Sequence, residues 1–189
     1  CLQNGIISGD EFGELDLGGN LTRAQMARIF TDTFNLKKAS KVDFTDVKET
    51  DWYYPYELAI FNSMPKRGSE FNGGEYVSRA EFAATLSGGT KLHLLPYSYT
   101  ITNYSFSDAQ EADDAYKNWL ETAVVNLYML GDGGYIRPND LLTRAEACTF
   151  LYRVINPESG KTPITGDVQV SVEQAQAWAK AKGAADRFI

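Results

Sequence analysis

Three nearly identical four-residue motifs recur along this chain, and each opens a stretch whose apolar residues follow the period of an α-helix. Such recurrence indicates a repeated structural unit, and one unit of this size is too small to bury its own apolar face. We therefore expect three units to share one core. The motifs, called tetrads below, are Thr22-Arg23-Ala24-Gln25, Ser78-Arg79-Ala80-Glu81 and Thr143-Arg144-Ala145-Glu146.

The outer residues of each tetrad fit a capping box, in which Ser or Thr and a later Glu or Gln bond to the backbone N–H groups at a helix start. The arginine between them has no role in a cap and lies beside the positive end of the helix dipole. Together with free N–H groups, it would make a site for a carboxylate or phosphate. We favour this interpretation for at least one of Arg23, Arg79 and Arg144. The alternatives are that duplication copied the arginine with its cap, or that each arginine pairs with a carboxylate of a neighbouring repeat.

A second motif stands upstream of two tetrads, as Phe44-Thr45-Asp46-Val47 and Phe106-Ser107-Asp108-Ala109, and an aromatic-rich helical stretch follows each copy. The first repeat lacks this motif because the chain begins later in the unit, where Gly5–Asp10 matches Leu127–Asp132. Each repeat is thus predicted to be a helix, a glycine-rich loop and a capped helix, which defines an all-α fold. Two buried register positions recur in the capped helices, at Ala27, Ala83 and Cys148 and then at Phe30, Leu86 and Leu151.

This ordered, repeated set of motifs resembles the S-layer homology (SLH) domain, whose unit joins Phe-x-Asp-Val, an aromatic-led helix, Gly-Ile-x-x-Gly and Thr-Arg-Ala-Glu. The resemblance covers the chain up to about residue 156. The predicted divisions are a partial first SLH motif at 1–36, a second motif at 44–90, an insertion at 91–105, a third motif at 106–156, a linker at 157–170 and a C-terminal helix at 171–189.

The resemblance implies a pseudo-threefold arrangement of three helix–loop–helix motifs around a shared helical core, plus the C-terminal helix. It also implies a function, because the family anchors surface proteins non-covalently to bacterial cell wall polysaccharide. The family's ligands are anionic secondary cell wall polymers, often ending in pyruvylated N-acetylmannosamine. They lie in grooves between adjacent units, where the tetrad arginine contacts the sugar.

Ligand-binding residues are predicted from the resemblance and from side-chain chemistry. Asp46 and Asp108 either bond to sugar hydroxyls or tie a loop or cap a helix, and Trp52 is expected to lie half in the core and half in a groove. The second repeat has Ser63–Gly68 in place of the glycine loop, so the grooves should not be equal. The predicted set is Arg23, Arg79, Arg144, Trp52, Tyr116, Asp46, Asp108, Gly9 and Gly131.

The charge of the chain argues against two classes of binding partner. The 189 residues carry a formal net charge of −7 with no basic stripe, which argues against nucleic acid and against anionic membranes. Cys1 and Cys148 fall at small core positions, so we interpret both as buried apolar side chains. No segment is long enough to span a membrane. We expect a monomeric, secreted module at the bacterial cell surface, with no cofactor and no metal.

Catalytic patterns are weak in this sequence. His93 is the single histidine and lies in the predicted insertion without a nucleophile motif. Acidic pairs for a glycosidase are plentiful, but none is marked by its context. We therefore predict that the chain is not an enzyme. Residues 171–189 faintly resemble the start of glucosaminidase-type wall hydrolases, or this helix docks on the first repeat. The alternative functions are part of such a hydrolase, or a structural assembly module.

Overall fold

The computed structural model describes residues 15–38, 44–60, 64, 68–89 and 100–155. All its regular elements are helical, which confirms the all-α fold, and none of the described helices is long and apolar enough to cross a membrane. The helices are α1 (Arg23–Phe34), α2 (Tyr54–Ile60), α3 (Arg79–Gly89), α4 (Thr100–Ser105), α5 (Asp114–Val125) and α6 (Arg144–Ile155), with a short 3-10 turn at Ala109–Glu111 before α5.

Three of these helices begin at the tetrads, and in each the cap hydroxyl accepts from the N–H three positions later, as predicted. Both bonds of the capping box are present at α1 and α6. At α1 the Thr22 hydroxyl accepts from the Gln25 N–H, while the Gln25 side chain accepts from the Thr22 N–H at 3.1 Å. The α6 start repeats this box, since the Glu146 carboxylate accepts from the Thr143 N–H at 3.1 Å. The residues of each tetrad that bond along the chain thus set where α1, α3 and α6 begin.

A closed ring of backbone hydrogen bonds joins the segments that precede these three helices. The N–H of Leu21 donates to the carbonyl of Leu142 at 2.8 Å, and the N–H of Leu142 donates to Val77 at 2.8 Å. The N–H of Val77 donates back to Leu21 at 2.9 Å, and all three side chains are fully buried. Each repeat therefore contacts both others directly at the centre of the molecule.

The capped helices share one hydrophobic core, as predicted. The Phe82 ring of α3 packs edge-on against Phe30 of α1 at 5.2 Å and lies 6.0 Å from Phe150 of α6. Cys148 is half-buried against this core, and burial raises the pKa of its thiol. The remaining predicted register positions are fully buried, namely Ala27, Ala83, Phe30, Leu86 and Leu151.

One helix was not expected. α4 lies within the residues assigned to an insertion, and the buried Glu121 of α5 holds it by accepting from the N–H and the hydroxyl of Thr102 at 2.8 and 2.6 Å. The pseudo-threefold arrangement and the division into motifs stay predictions. Predictions that fall on Cys1, Gly9, His93 and the segments 157–170 and 171–189 lie outside the described residues.

Candidate functional site

Two tetrad arginines are buried inside the protein. The side chains of Arg23 and Arg79 are 1% and 2% exposed. Arg23 forms an ion pair with the fully buried Glu81, and Arg79 Nη1 lies 2.7 Å from Glu146 Oε1. Each arginine therefore pairs with the tetrad glutamate of the next repeat. This is the alternative in which the arginines serve contacts between repeats.

All three tetrad arginines also bond to the loop of the following repeat. In each case the side-chain Nε donates to a backbone carbonyl eight residues before the next tetrad arginine, with the last repeat returning to the first. If one of these carbonyls moved away, the arginine N–H that it accepts would lose its partner inside the protein, which costs stability. The three bonds are Arg23 Nε to Phe71 at 2.5 Å, Arg79 Nε to Ile136 at 2.9 Å and Arg144 Nε to Leu15 at 2.9 Å.

The helix starts themselves offer no free N–H groups, so the predicted anion site at these groups is wrong. The first two N–H groups of each helix donate to carbonyls of the adjacent repeat's loop, and the third donates to the cap hydroxyl. The loops therefore satisfy the donors that an anion would need. The inter-repeat bonds run from Arg23 to Glu75, Ala24 to Gly73, Arg79 to Asp140, Ala80 to Pro138, Arg144 to Gly19 and Ala145 to Leu17.

The two predicted aspartates tie loops, which was one of the open alternatives for them. Each carboxylate accepts two consecutive backbone N–H groups just upstream of a tetrad, one on each oxygen. These charge-assisted bonds fix the loop that receives the arginine of the previous repeat. Asp46 accepts from Phe71 and Asn72, both at 2.7 Å, and Asp108 accepts from Ile136 at 2.9 Å and Arg137 at 2.7 Å.

We expect Asp108→Ala to lower the free energy of unfolding by about 2 kcal/mol, because it removes two hydrogen bonds to a charged acceptor. Urea titration measures the loss. The matched control is Asp32→Ala, which breaks an exposed pair with Arg28 at 3.7 Å and should change stability by less than about 0.5 kcal/mol. Equal stability of the two variants would show that the loop does not depend on Asp108.

A pocket of about 670 Å³ lies where the second and third repeats meet. One wall is the loop at 130–134 with Arg137, the other is α6, and Arg79 of α3 closes the floor. α6 contributes residues spaced by three and four positions, which lie on one face of a helix. These α6 residues are Glu146, Thr149, Phe150 and Arg153.

The pocket is locally cationic. The residues that line it include Arg79, Arg137 and Arg153 but only two acids, Glu146 and Asp132, so their formal charges sum to a positive value in a protein whose net charge is −7. Burial lowers the pKa of Arg79, while the charge of Glu146 opposes this effect; the guanidinium nevertheless stays charged. The Phe150 ring is itself only 3% exposed, and the guanidinium carbons of Arg79 and Arg153 lie 5.2 and 5.8 Å from its centroid.

The loop reaches this shape through its glycines. A side chain at Gly131 would collide with the Phe106 ring and would lie 2.6 Å from the Tyr135 carbonyl oxygen. Gly133 and Gly134 adopt φ values of +56° and +82°, which glycine accepts at little cost. Gly131 lines the pocket, and close packing explains why it is a glycine; its contact with a ligand stays a prediction.

The other predicted ligand residues are not brought together here. Trp52 is 56% exposed and packs edge-on against Tyr53. Tyr116 is half-buried on α5 and is not among the residues that line the pocket, and Arg144 is half-buried. Sequence reasoning missed Arg137 and Arg153, although the helical spacing of Glu146, Phe150 and Arg153 was a signal for the latter.

Comparison with known proteins gives S-layer proteins as relatives over most of the chain, and no family model matches. The Surface-layer 125 kDa protein of Lysinibacillus sphaericus is 29% identical over 160 residues, which cover 80% of the chain and 13% of that protein. The S-layer protein sap of Bacillus anthracis is 24% identical over 186 residues, covering 92% of the chain and 22% of that protein.

A third relative is of another kind. The endoglucanase of Bacillus sp. (strain KSM-635) is 26% identical over 127 residues, which cover 63% of the chain and 12% of the enzyme. The chain therefore spans between about a tenth and a quarter of the length of these relatives. Over most of its own length it is related to S-layer proteins.

Proposed function

We propose that this chain is a non-catalytic SLH-type anchoring module that binds an anionic, pyruvylated secondary cell wall polysaccharide at the bacterial cell surface. The ordered tandem motifs and the S-layer relatives support the module type. Such a module would act outside the cell as a monomer, with the wall polymer as its partner and without nucleic acid, membrane insertion or cofactor.

The observation that carries this proposal is the cationic pocket between the second and third repeats. Its volume of about 670 Å³ lies in the usual range of ligand sites, about 300–1,000 Å³. A pocket lined by arginines suits an acidic sugar, because a guanidinium can bind the anionic group of the sugar through two hydrogen bonds. Because the positive charge is local, the overall negative charge of the protein does not prevent the contact.

The grooves are proposed to be unequal. In the tetrad register, the second repeat has Asn72 where the third has Arg137, and Thr85 where the third has Phe150. The corresponding place between the first and second repeats therefore lacks equivalents of Arg137 and Phe150. We assign the main polymer site to the pocket around Arg137 and Phe150.

Wall pulldown tests the proposal. We expect the protein to sediment with purified walls that retain their secondary polymer and to stay in the supernatant with walls stripped of it. The reason is that the pocket's cations need the acidic polymer, which peptidoglycan alone does not supply. Equal retention on both wall preparations would contradict the proposal.

Two alternatives have specific support. The endoglucanase relative favours a part of a wall or glycan hydrolase, and release of reducing sugar from walls by this chain alone would identify that activity. The internal pairing of Arg23 and Arg79 favours a structural assembly module instead. In that case sedimentation velocity would show concentration-dependent oligomers, and wall retention would not respond to polymer removal.

A further inference from the structure

We infer that Arg137 is the residue that selects the acidic group of the ligand, and that the tetrad arginine Arg79 builds the wall of the pocket. This inference deepens the proposed function and rests on it. It assigns the specificity-determining contact to a loop position that no tetrad contains.

The donors of Arg79 are already used inside the protein. Nε donates to the Ile136 carbonyl at 2.9 Å, Nη1 to Glu146 at 2.7 Å and Nη2 to the Leu130 carbonyl at 3.3 Å. All three nitrogens of the guanidinium therefore have partners, and the side chain is 2% exposed. A carboxylate ligand that took the fork of Arg79 would have to displace Glu146 or the loop carbonyls.

Arg137, in contrast to Arg79, is exposed and only weakly paired. Its side chain is 44% exposed at the pocket, and its contact within the described residues is to Glu146 Oε1 at 3.5 Å. That same oxygen already bonds to Arg79 at 2.7 Å, and the other oxygen of Glu146 serves the Thr143 cap. The charge of Arg137 is thus weakly compensated and open to a bidentate partner.

The backbone of Arg137 is held in a conformation that arginine does not favour. Its φ is +53°, and the matching positions in the other repeats, Asp16 and Asn72, also have positive φ at +41° and +55°. Asp and Asn tolerate this region, whereas a long side chain is uncommon there. Asp108 fixes the position by accepting the Arg137 N–H at 2.7 Å. An arginine at a site suited to asparagine points to use of its side chain.

The neighbours of Arg137 define the class of ligand. The ring of Phe150 and the guanidinium of Arg153, both on α6, line the same pocket, with 5.8 Å between the Arg153 guanidinium carbon and the ring centroid. A sugar that carries a carboxylate can place the acid on Arg137. A neutral sugar leaves Arg137 without its partner, so the pocket should discriminate against it.

The sharp variant is Arg137→Asn, since asparagine is the residue of the second repeat at this position and accepts the backbone conformation. We expect it to fold at least as stably as the wild type and to bind purified pyruvylated wall polymer at least tenfold more weakly by calorimetry. Arg28→Gln is the matched control, because Arg28 is also about half-exposed but lies on α1 outside the pocket. Polymer whose pyruvyl groups have been removed by mild acid should bind the wild type about as weakly as the intact polymer binds Arg137→Asn.

The outcomes separate the two claims. Wild-type affinity in Arg137→Asn, with the polymer still binding the wild-type protein, would overturn the role of Arg137 and leave the proposed function standing. Failure of the wild type to bind the polymer would remove the proposed function, and the inference with it. A tenfold loss in Arg137→Asn with no loss in Arg28→Gln would support both.

Discussion

Replacing Arg23 with methionine is expected to lower the free energy of unfolding by about 3–5 kcal/mol. The substitution leaves Glu81, which is fully buried, without the cation that neutralises it. It also removes the bond to the Phe71 carbonyl and the packing of the guanidinium over the Phe71 ring at 5.4 Å. Urea unfolding followed by circular dichroism measures the loss.

A double-variant cycle identifies the source of that loss. Arg23→Met combined with Glu81→Leu removes both charges and fills the space with apolar atoms, so it should be more stable than Arg23→Met alone by about 2 kcal/mol or more. The control, Arg28→Met, breaks an exposed pair and should change stability by less than about 0.5 kcal/mol. Strictly additive effects of the two buried substitutions would mean that the ion pair is not the cause.

The second large expected effect is a dependence of folding stability on pH, caused by Glu57. This side chain is fully buried on α2, and neither carboxylate oxygen has a hydrogen-bond partner among the residues that the structure describes. Burial, and after it the charge of Asp46, raises the pKa of Glu57 to about 7. In the equivalent place on α5, Glu121 accepts two hydrogen bonds from Thr102, whereas Glu57 accepts none from the described residues.

The sign of the effect follows from this raised pKa. Below about pH 4.5 both the folded and the unfolded chain hold the proton, whereas between about pH 4.5 and 7 only the folded chain keeps it. Protonation of Glu57 therefore stabilises the fold at low pH, and this contribution is lost as the pH rises through that window, to a total of about 3 kcal/mol. Above about pH 7 the contribution of Glu57 stays constant.

Glu57→Gln should remove this component, so that the variant is more stable than the wild type at pH 8 and similar to it at pH 4. Thermal unfolding across pH 4 to 8 provides the measurement, and the difference between the two proteins isolates Glu57 from other titrating groups. Glu70→Gln, at an exposed loop position, serves as the control and should follow the wild-type curve. Parallel curves for wild type and Glu57→Gln would contradict the prediction.

Local patterns predicted the fold better than the site. The caps at Thr22 and Thr143 depend on residues three positions apart, so the sequence alone determines them. The direction of Arg79 depends on where Glu146 and the Ile136 carbonyl lie in space, and both belong to another repeat. The tetrad shows that an arginine is present but not whether a ligand or a neighbouring repeat receives it.

Arg137 was missed because its role, too, depends on contacts between distant parts of the chain. Its importance comes from a left-handed backbone held by Asp108, and from a glutamate already bonded to Arg79. Neither relation is visible as a spacing, because the partners lie far apart in the chain. Comparison of Arg137 with Asn72 and Asp16 in the tetrad register is the route by which the sequence could have singled it out.

The closed ring of backbone hydrogen bonds among Leu21, Val77 and Leu142 restricts how repeats can be added to such a protein in evolution. In open solenoids a further unit adds to a free end, because each unit contacts only its neighbours. Here each segment gives one bond and receives one, so a fourth unit would find neither donor nor acceptor vacant. Further copies of this architecture must therefore be added as another complete set of three repeats, since the existing ring has no place for one more.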